Sequence, residues 1–554
     1  MRTLLTTLNS KYVHHALSLK CLKNYSKNYD VIVKEYTIND NTDAVISHIH
    51  KVGADVIAFS CYIWNVGKTL DICDALKKIN PETIIILGGL EVSFDSYDIM
   101  QKNPSVDYII QGEGEVPFSK LLAYLHGEIS SICDVKSVWY RDEDKISFTG
   151  QSPLYDINDY EFPYDESIKE LKGKIIYYES SRGCPYNCSY CLSGRDNKVT
   201  FLDVERVKKE LRFFMDNKVG LVKFVDRTFN ADRRRADEIF KFILDNPSDT
   251  RFHFELAGDL IDEKTLDILR DAPKDAMQFE IGVQTTNPRT IEAIGRKIDF
   301  DKLSEKIRPI IEWNNIHIHL DLIAGLPYED LESFKKSFND VISLKPHMLQ
   351  LGFLKLLKGS RIRSEQKKYG YVYKSHAPYE VIKNDFMSFD DISYLKDIEH
   401  ILDVYYNSGG FENTFNYLFS LTDDYFSVFD RIHNYFEINS LYEVSHSVDS
   451  LFDILAKIYK DDCNALNNIL KDRYINKNAK IKPKIHTDDE FLQRCYDFFK
   501  SDDMMLKYYP EFYNVPAKKI FKFLTIEMIG DKAYIFRTKT GECIEITEDF
   551  VKKQ

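Results

Sequence analysis

The stretch KIIYYESSRGCPYNCSYCLSG, residues 174–194, runs a short strand-like segment into three closely spaced cysteines. Residues 174–180 are apolar and aromatic, as a short buried strand requires. Cys184, Cys188 and Cys191 follow on one tight loop, separated by three and then two residues. Three soft, deprotonated sulfurs suit an iron–sulfur cluster or a thiophilic metal. A cubane cluster has four irons, so three protein ligands leave one iron open to chelate a small molecule. A structural zinc would normally take a fourth ligand and paired knuckles. The plain alternative is three buried thiols without a ligand.

Downstream of this loop, short apolar runs alternate with amphipathic ones. LVKFVD (221–226), RFHFELA (251–257), AMQFEIGVQ (276–284), IHIHLDLIAG (316–325) and MLQLGFLK (348–355) read as strands. DVERVKKELRFFMDN (203–217) and IDEKTLDILRDA (261–272) read as helices between them. With 174–180 these make six β-α units, which predicts a partial (β/α)6 barrel of parallel strands.

Upstream, residues 1–127 show the same alternation, with strand candidates RTLLTTL (2–8), DVIVKEY (30–36), DVIAFSC (55–61), TIIILGG (83–89) and DYIIQGE (107–113). An open, doubly wound parallel sheet is expected, with ligands beyond the carboxyl ends of its strands. VKSVWYRDEDKISFTG (135–150) reads as a hairpin. The predicted organisation is an α/β chain: a doubly wound domain over 1–150, a linker over 151–173, the partial barrel over 174–369 and a C-terminal domain over 370–554. The last is expected to be mostly helical, with residues 375–475 helical and aromatic-rich. FKFLTIEMIGDKAYIFRTKTGECIEI (521–546) predicts a small antiparallel sheet with turns at Gly530-Asp531 and Thr540-Gly541.

Composition narrows the function. A formal net charge of −13 repels phosphate backbones and disfavours general nucleic-acid binding. No stretch nears the roughly 18–20 apolar residues that span a membrane, and MRTLLTTLNSKYVHH lacks a secretory h-region. A cytoplasmic location without a membrane partner is therefore expected. Cys21, Cys61, Cys73, Cys133, Cys463, Cys495 and Cys543 are scattered and do not form a disulfide framework.

The Cys-x3-Cys-x2-Cys loop, with Tyr190 before its third cysteine and a partial barrel behind it, resembles the radical S-adenosylmethionine superfamily. The resemblance implies a 4Fe-4S cluster on Cys184, Cys188 and Cys191, which are then both metal ligands and catalytic residues. It implies S-adenosylmethionine on the open iron, cleaved by one electron to methionine and a 5′-deoxyadenosyl radical. FVDRTFN (224–230) resembles the segment that meets the methionine amino group, through Asp226 and Thr228. EIGVQTTN (280–287) implies Glu280 and Gln284 near the ribose or methionine end, and AIGRK (293–297) implies Arg296 on the methionine carboxylate. DLIAGLPYED (321–330) implies adenine contacts around Ile323 and Gly325. An electron donor such as flavodoxin or ferredoxin, and an unidentified small-molecule or peptide substrate, are the implied partners. Both cofactor sets are oxygen-labile, which implies an anaerobe.

The N-terminal segments SCYIWN (60–65), LGGLEVS (87–93) and QGEGE (111–115) resemble the cobalamin-binding domain of one subclass of that superfamily. With the long tail, the pattern resembles a clostridial-type group whose C-terminal domain has no assigned function. Asn9, Ser60, Tyr62, Trp64, Gly88, Gly89, Gly112, Glu113 and Gly114 are the implied cobalamin contacts. The D-x-H-x-x-G motif that supplies a lower-face histidine is absent; the region reads N-S-K-Y-V-H-H. This leaves the lower face of cobalt to water or to a side chain such as Tyr62 or Trp64, and His14 and His15 read as helix-start residues.

The leading expectation is a cobalamin-dependent radical enzyme that methylates an unactivated carbon through a 5′-deoxyadenosyl radical and methylcobalamin. Alternatives are a cyclase or rearrangement enzyme with both cofactors, a non-catalytic sensor, and a tRNA methylthiotransferase-like enzyme using Cys21, Cys61 and Cys73. His317, His319 and Asp321 alternate on one strand and share a face. Substrate contact, proton handling, packing or a second metal are open to them. Cys463, Cys495 and Cys543 read as structural, and the lysines of 476–484 as a solvated loop.

Overall fold

The computed structural model describes residues 1–551 apart from 154, 195–197 and 538. The chain forms two compact units, one of Met1–Ser337 with Gln350–Ile392, the other of Phe338–Leu349 with Ser393–Gln554.

The first unit opens with a seven-stranded sheet: β1 Arg2–Asn9, β2 Asp30–Thr37, β3 Val56–Ser60, β4 Ile84–Gly88, β5 Tyr108–Ile110, β6 Val138–Asp142 and β7 Lys145–Phe148, in the order β2-β1-β3-β4-β5-β6-β7. The first five strands pair in parallel, and the β6–β7 hairpin adds antiparallel to β5. Alternate residues separate into two cores. Leu4, Leu8, Ile57, Phe59, Ile85 and Leu87 face one way; Leu5, Val56, Ala58 and Ile86 face the other. Burial on both faces is why these strands are almost continuously apolar.

Next come β8 Ile176–Tyr178, β9 Ser181–Gly183, β10 Val199–Phe201, β11 Leu221–Phe224, β12 Arg251–Leu256, β13 Met277–Gln284, β14 His317–Ala324 and β15 Met348–Phe353. Six of them form the open sheet β15-β14-β13-β12-β11-β8, the six-unit partial barrel expected from the periodicity. Asp203, Asp232, Asp262 and Asp299 each cap the N-terminus of the following helix through their carboxylates. Met277, Phe279, Ile281 and Val283 of β13 are fully buried, and the alternate residues of β13 and β14 are only half-buried. Those alternate positions are polar apart from Gly282 and Ile323, and they build the site.

Two stretches depart from the sequence expectation. Residues 375–388 are not helical: β16 Val372–Tyr373 and β17 Val381–Lys383 form a small antiparallel pair, and the first helix starts at Phe389. Pro378 lies in this stretch and lacks the N–H a helix would need. The linker is also docked. It holds the 3₁₀ turns Ile157–Asp159 and Glu166–Leu171, and Tyr164 is buried with its hydroxyl 3.1 Å from His15 Nε2.

In the second unit, Glu412–Phe419, Tyr425–Ile438, Val448–Ile458 and Cys463–Ile475 are helices around Phe415, Phe429, Phe436 and Phe452. Asp472 accepts from the N–H groups of Asn413 and Thr414 at 3.0 and 2.8 Å, capping the first of them. β18 Leu524–Ile529, β19 Lys532–Arg537 and β20 Cys543–Glu545 make the expected terminal sheet, with Gly530 at φ +62° in its first turn. No helix among the described residues is long and apolar enough to cross a membrane.

Candidate cofactor site

The cysteine loop runs between β9 and β10, which pair antiparallel. Gly183 sits at φ +96°, and a Cβ there would lie 2.0 Å from the Lys198 carbonyl oxygen. Only glycine fits that approach. Cys184 and Cys188 are buried, and Cys191 is half-buried. Thr228 Oγ1 lies 3.4 Å from Cys184 Sγ, which brings the end of β11 against the loop.

Asp226 is engaged within the chain. Its carboxylate is fully buried and accepts from Ser180 N at 2.8 Å, Ser180 Oγ at 2.7 Å and Ser181 Oγ at 2.7 Å. Arg235 Nη2 binds the Ser180 carbonyl at 2.9 Å. Asp226 therefore holds the root of the cysteine loop. Burial pushes its carboxyl up, against the serine hydrogen bonds and Arg235.

Arg296 reaches the loop from the other side. Its Nη1 is 3.2 Å from Tyr190 Oη and 3.8 Å from Cys188 Sγ, and Nη2 donates to the Gly282 carbonyl. Burial pushes the Cys188 thiol up, and the Arg296 charge opposes it. Beside it Gln284 adopts φ +73°, at the irregularity where β13 slips register against β14. Arg296 Nε and Gln284 Oε1 are buried without a partner among the described residues. Such groups are costly unless something meets them. They mark a polar cradle next to Cys188, which fits the zwitterionic methionine end of S-adenosylmethionine.

Three thiols on one loop fit a cluster ligand set. A cubane spreads its ligands over several irons and does not need them around a single ion. Among the described residues, no three His, Cys, Asp or Glu side chains are placed to hold one metal ion, the trio His317, His319 and Asp321 included.

That trio lines the bore with its neighbours on β11 to β13. Glu280 Oε2 is 3.0 Å from Lys223 Nζ and 2.9 Å from His253 Nε2. Burial would raise the Glu280 carboxyl, but the His253 hydrogen bond and the Lys223 charge outweigh it and pull it down to about 2. Asp321 is the opposite case. Burial first, then the charges of Glu280 and Glu255, push it up to about 7, and its Oδ1 has no partner among the described residues. Burial also lowers His319, to about 4, so its imidazole is neutral near pH 7. On the next strand end, Gly325 takes φ +87°, and its carbonyl accepts from Tyr371 Oη at 3.0 Å and Asn384 Nδ2 at 2.9 Å. Ile323 is half-buried on the bore side of β14.

At the strand ends of the first sheet, Tyr62 and Trp64 stack at 4.5 Å and 5°, and Trp64 Nε1 donates to the Leu8 carbonyl at 3.1 Å. The plate is half open, since Trp64 is 45% exposed. Ser60 and Tyr62 both meet Ser18 Oγ, at 3.3 and 3.1 Å. Gly88 has open space where a Cβ would be, whereas a Cβ on Gly89, at φ +103°, would lie 2.5 Å from the Cys61 carbonyl oxygen. Gly112 N donates to Ser93 Oγ at 3.2 Å, and Gly114 caps the helix Glu115–Leu125. Two implied contacts are already engaged within the chain: Asn9 Nδ2 donates to Glu35 at 2.6 Å, and Glu113 pairs with Arg182 at 3.3 Å. His14 and His15 precede the helix Leu17–Tyr25 and bond Tyr177 and Tyr164, so they are placed as helix-start residues. Cys61 and Cys73 share one core of the sheet, while Cys21 lies on the helix whose Leu19 belongs to the other. The three thiols of the methylthiotransferase-like alternative therefore do not meet.

Sequence reasoning missed Arg182. It pairs with Glu115 at 2.8 Å and Glu179 at 2.7 Å as well as Glu113, tying the GEGE turn to the residue pair before Cys184. The signal was available, since an arginine next to a cysteine motif and two glutamates in a turn are complementary. Lys223 and His253 were also missed, because only the strand register puts them beside Glu280.

Three families match successive parts of the chain: the B12 binding domain over residues 4–122, the radical SAM superfamily over 178–341, and a protein family of unknown function, DUF4080, over 367–543. The cobalamin-dependent radical SAM methyltransferase TokK of Streptomyces tokunonensis is 27% identical over 55% of this chain and 47% of its own. The 2-(S-pantetheinyl)-carbapenam-3-carboxylate methyltransferase of Streptantibioticus cattleyicolor is 25% identical over 57% of this chain and 49% of its own. The chain thus spans about half the length of these two relatives. Among solved structures, the cobalamin-dependent S-adenosylmethionine radical enzyme OxsB with aqua-cobalamin bound shares the fold. Its TM-score is 0.60 at 15% identity, over 91% of this chain and 76% of that one. The methyltransferase TsrM from Kitasatospora setae, with cobalamin and a [4Fe-4S] cluster bound, gives 0.56 at 15% identity over 68% and 80%.

Proposed function

We propose, for a chain that carries a B12-binding domain, a radical SAM domain and a DUF4080 domain, the methylation of an unactivated carbon of its substrate. The observation that carries the reading is the joining, in one compact unit, of the three-thiol loop to the strand-end face of the doubly wound sheet through Arg182. When bound, the cluster with S-adenosylmethionine supplies a 5′-deoxyadenosyl radical, and cobalamin supplies the methyl group.

The protein's part is placement and shielding. Cys184, Cys188 and Cys191 hold the cluster, with Tyr190 and Thr228 beside the sulfurs. Arg296 and Gln284 turn their unmatched polar atoms to the methionine end. Glu280, held ionised by Lys223 and His253, would accept from the ribose hydroxyls, and the backbone at Ile323 and Gly325 would border the adenine. The stacked Tyr62–Trp64 plate, with Ser60, Gly88, Gly112 and Gly114 at the strand ends, would hold the cobalamin. An electron donor of flavodoxin or ferredoxin type completes the reaction, in the cytoplasm.

The test is anaerobic preparation with cobalamin supplied, followed by reduction in the presence of S-adenosylmethionine. About one corrinoid per chain, with both 5′-deoxyadenosine and S-adenosylhomocysteine formed, is the expected result. Cys188→Ala should abolish the deoxyadenosine, and wild-type rates in that variant would sink the reading. Several anaerobic magnesium-protoporphyrin cyclases, such as that of Synechocystis at 28% identity over 43% of this chain, are also similar. Deoxyadenosine without S-adenosylhomocysteine would favour a chemistry of that kind.

A further inference from the structure

A cavity of about 550 Å³ opens beside Cys188 and Cys191, lined also by Lys358, Arg361 and Arg363 and by one carboxylate, Asp95. The segment KGSRIRSEQKK (358–368) behind it holds five basic residues and one acid, in a chain of net charge −13. It is fixed against the cysteine loop: Ile362 N donates to the Ser189 carbonyl at 2.9 Å, and Ser189 N to the Ile294 carbonyl at 2.8 Å. The three cations are not equivalent. Lys358 is matched by Glu91 at 3.3 Å and Asp95 at 3.4 Å. Arg363 is buttressed, with Nη1 on the Leu356 carbonyl at 2.8 Å and its guanidinium 4.6 Å from the Tyr379 ring. Arg361 makes one long bond, 3.4 Å to the Ile294 carbonyl. Among the described residues, neither arginine meets a carboxylate.

We propose that this cavity seats an anionic group of the substrate, a carboxylate or a phosphate, on Arg361 and Arg363. This rests on the reading of the cysteine loop as the reaction centre. Two guanidinium groups without carboxylate partners line a cavity that reaches the ligand thiols, and each suits a planar or tetrahedral oxyanion. The anchor lies beside Cys188 and Cys191, next to the chemistry.

The experiment uses the full chain with cluster and corrinoid loaded, titrated anaerobically with inorganic phosphate and with succinate at constant ionic strength. At least one of these probes should bind, at least tenfold more weakly in the Arg361→Gln/Arg363→Gln double variant, with S-adenosylmethionine affinity unchanged. Which probe binds distinguishes phosphate from carboxylate. Arg361→Gln alone, at an exposed residue with one weak bond, gives the same direction if the double variant fails to fold. Binding of neither probe, or equal binding in wild type and variants, overturns the proposal. So does a matching loss of S-adenosylmethionine affinity, which would put the arginines on the cofactor's own carboxylate. Slower reduction by an acidic donor protein with no small-anion binding would make the patch a docking surface instead. Failure of the methylation reading shows separately, as missing deoxyadenosine in the wild type, and leaves the titration readable.

Discussion

Glu280 and Asp321 lie on neighbouring strands of the same bore, and their surroundings drive them in opposite directions. Glu280 is ionised beside Lys223 and His253, so its depressed value adds stability that is present above the ordinary glutamate value and lost as pH falls towards about 2. Glu280→Gln leaves two donors facing an uncharged amide, and should cost about 1–3 kcal/mol in urea denaturation at pH 7. Asp321 is raised, so the folded chain keeps a proton that the unfolded chain has lost. Stability then declines as pH rises from the ordinary aspartate value to about 7. Asp321→Asn should remove that slope and stabilise the protein at pH 8 by on the order of 2 kcal/mol, with little effect near pH 4. Thermal unfolding at the two pH values reads this directly, and an equal shift at both would contradict it.

At the scale of the element, the cysteine loop is held by its root rather than by its own contacts. Asp226, Ser180, Ser181 and Arg235 form a buried cluster at its root, and the β9–β10 pair joins its two ends. Asp226→Ala leaves Arg235 buried without its countercharge and should cost about 3–5 kcal/mol. Gly183→Ala drives a Cβ into the Lys198 carbonyl at a positive φ, and should cost about 2 kcal/mol or more. Both variants should bind less iron per chain on anaerobic reconstitution, without losing corrinoid. Iron contents equal to the wild type would show that the loop does not need this root. The role of Asp226 is legible only from this packing. An aspartate ending a barrel strand is the same letter whether it faces a ligand or a pair of serines.

For the whole molecule, the compact units do not break where the composition changes. Residues 370–392 cluster with the first unit, where Tyr371 and Asn384 bind the Gly325 carbonyl and the Tyr379 hydroxyl donates to Glu91. A chain ending at residue 369 should therefore lose solubility and corrinoid, although it keeps every barrel strand. Gel filtration and corrinoid content after anaerobic purification test this; a monomeric, corrinoid-loaded product would contradict it.

Local pattern was enough for the strands of the two large sheets, the two α/β halves, the terminal sheet and the thiol loop. Period-two burial and the Cys-x3-Cys-x2-Cys spacing are written in consecutive residues. Tertiary structure alone decided which polar groups were already matched. It put Asp226 on its serines, Glu113 on Arg182 and Asn9 on Glu35, and left Arg361, Arg363, Arg296 Nε and Gln284 Oε1 facing open or unmatched space. The reason is physical. A side chain's chemistry is local, but its hydrogen-bond and charge partners come from strands and turns far away in sequence, and only their register brings them within about 3 Å.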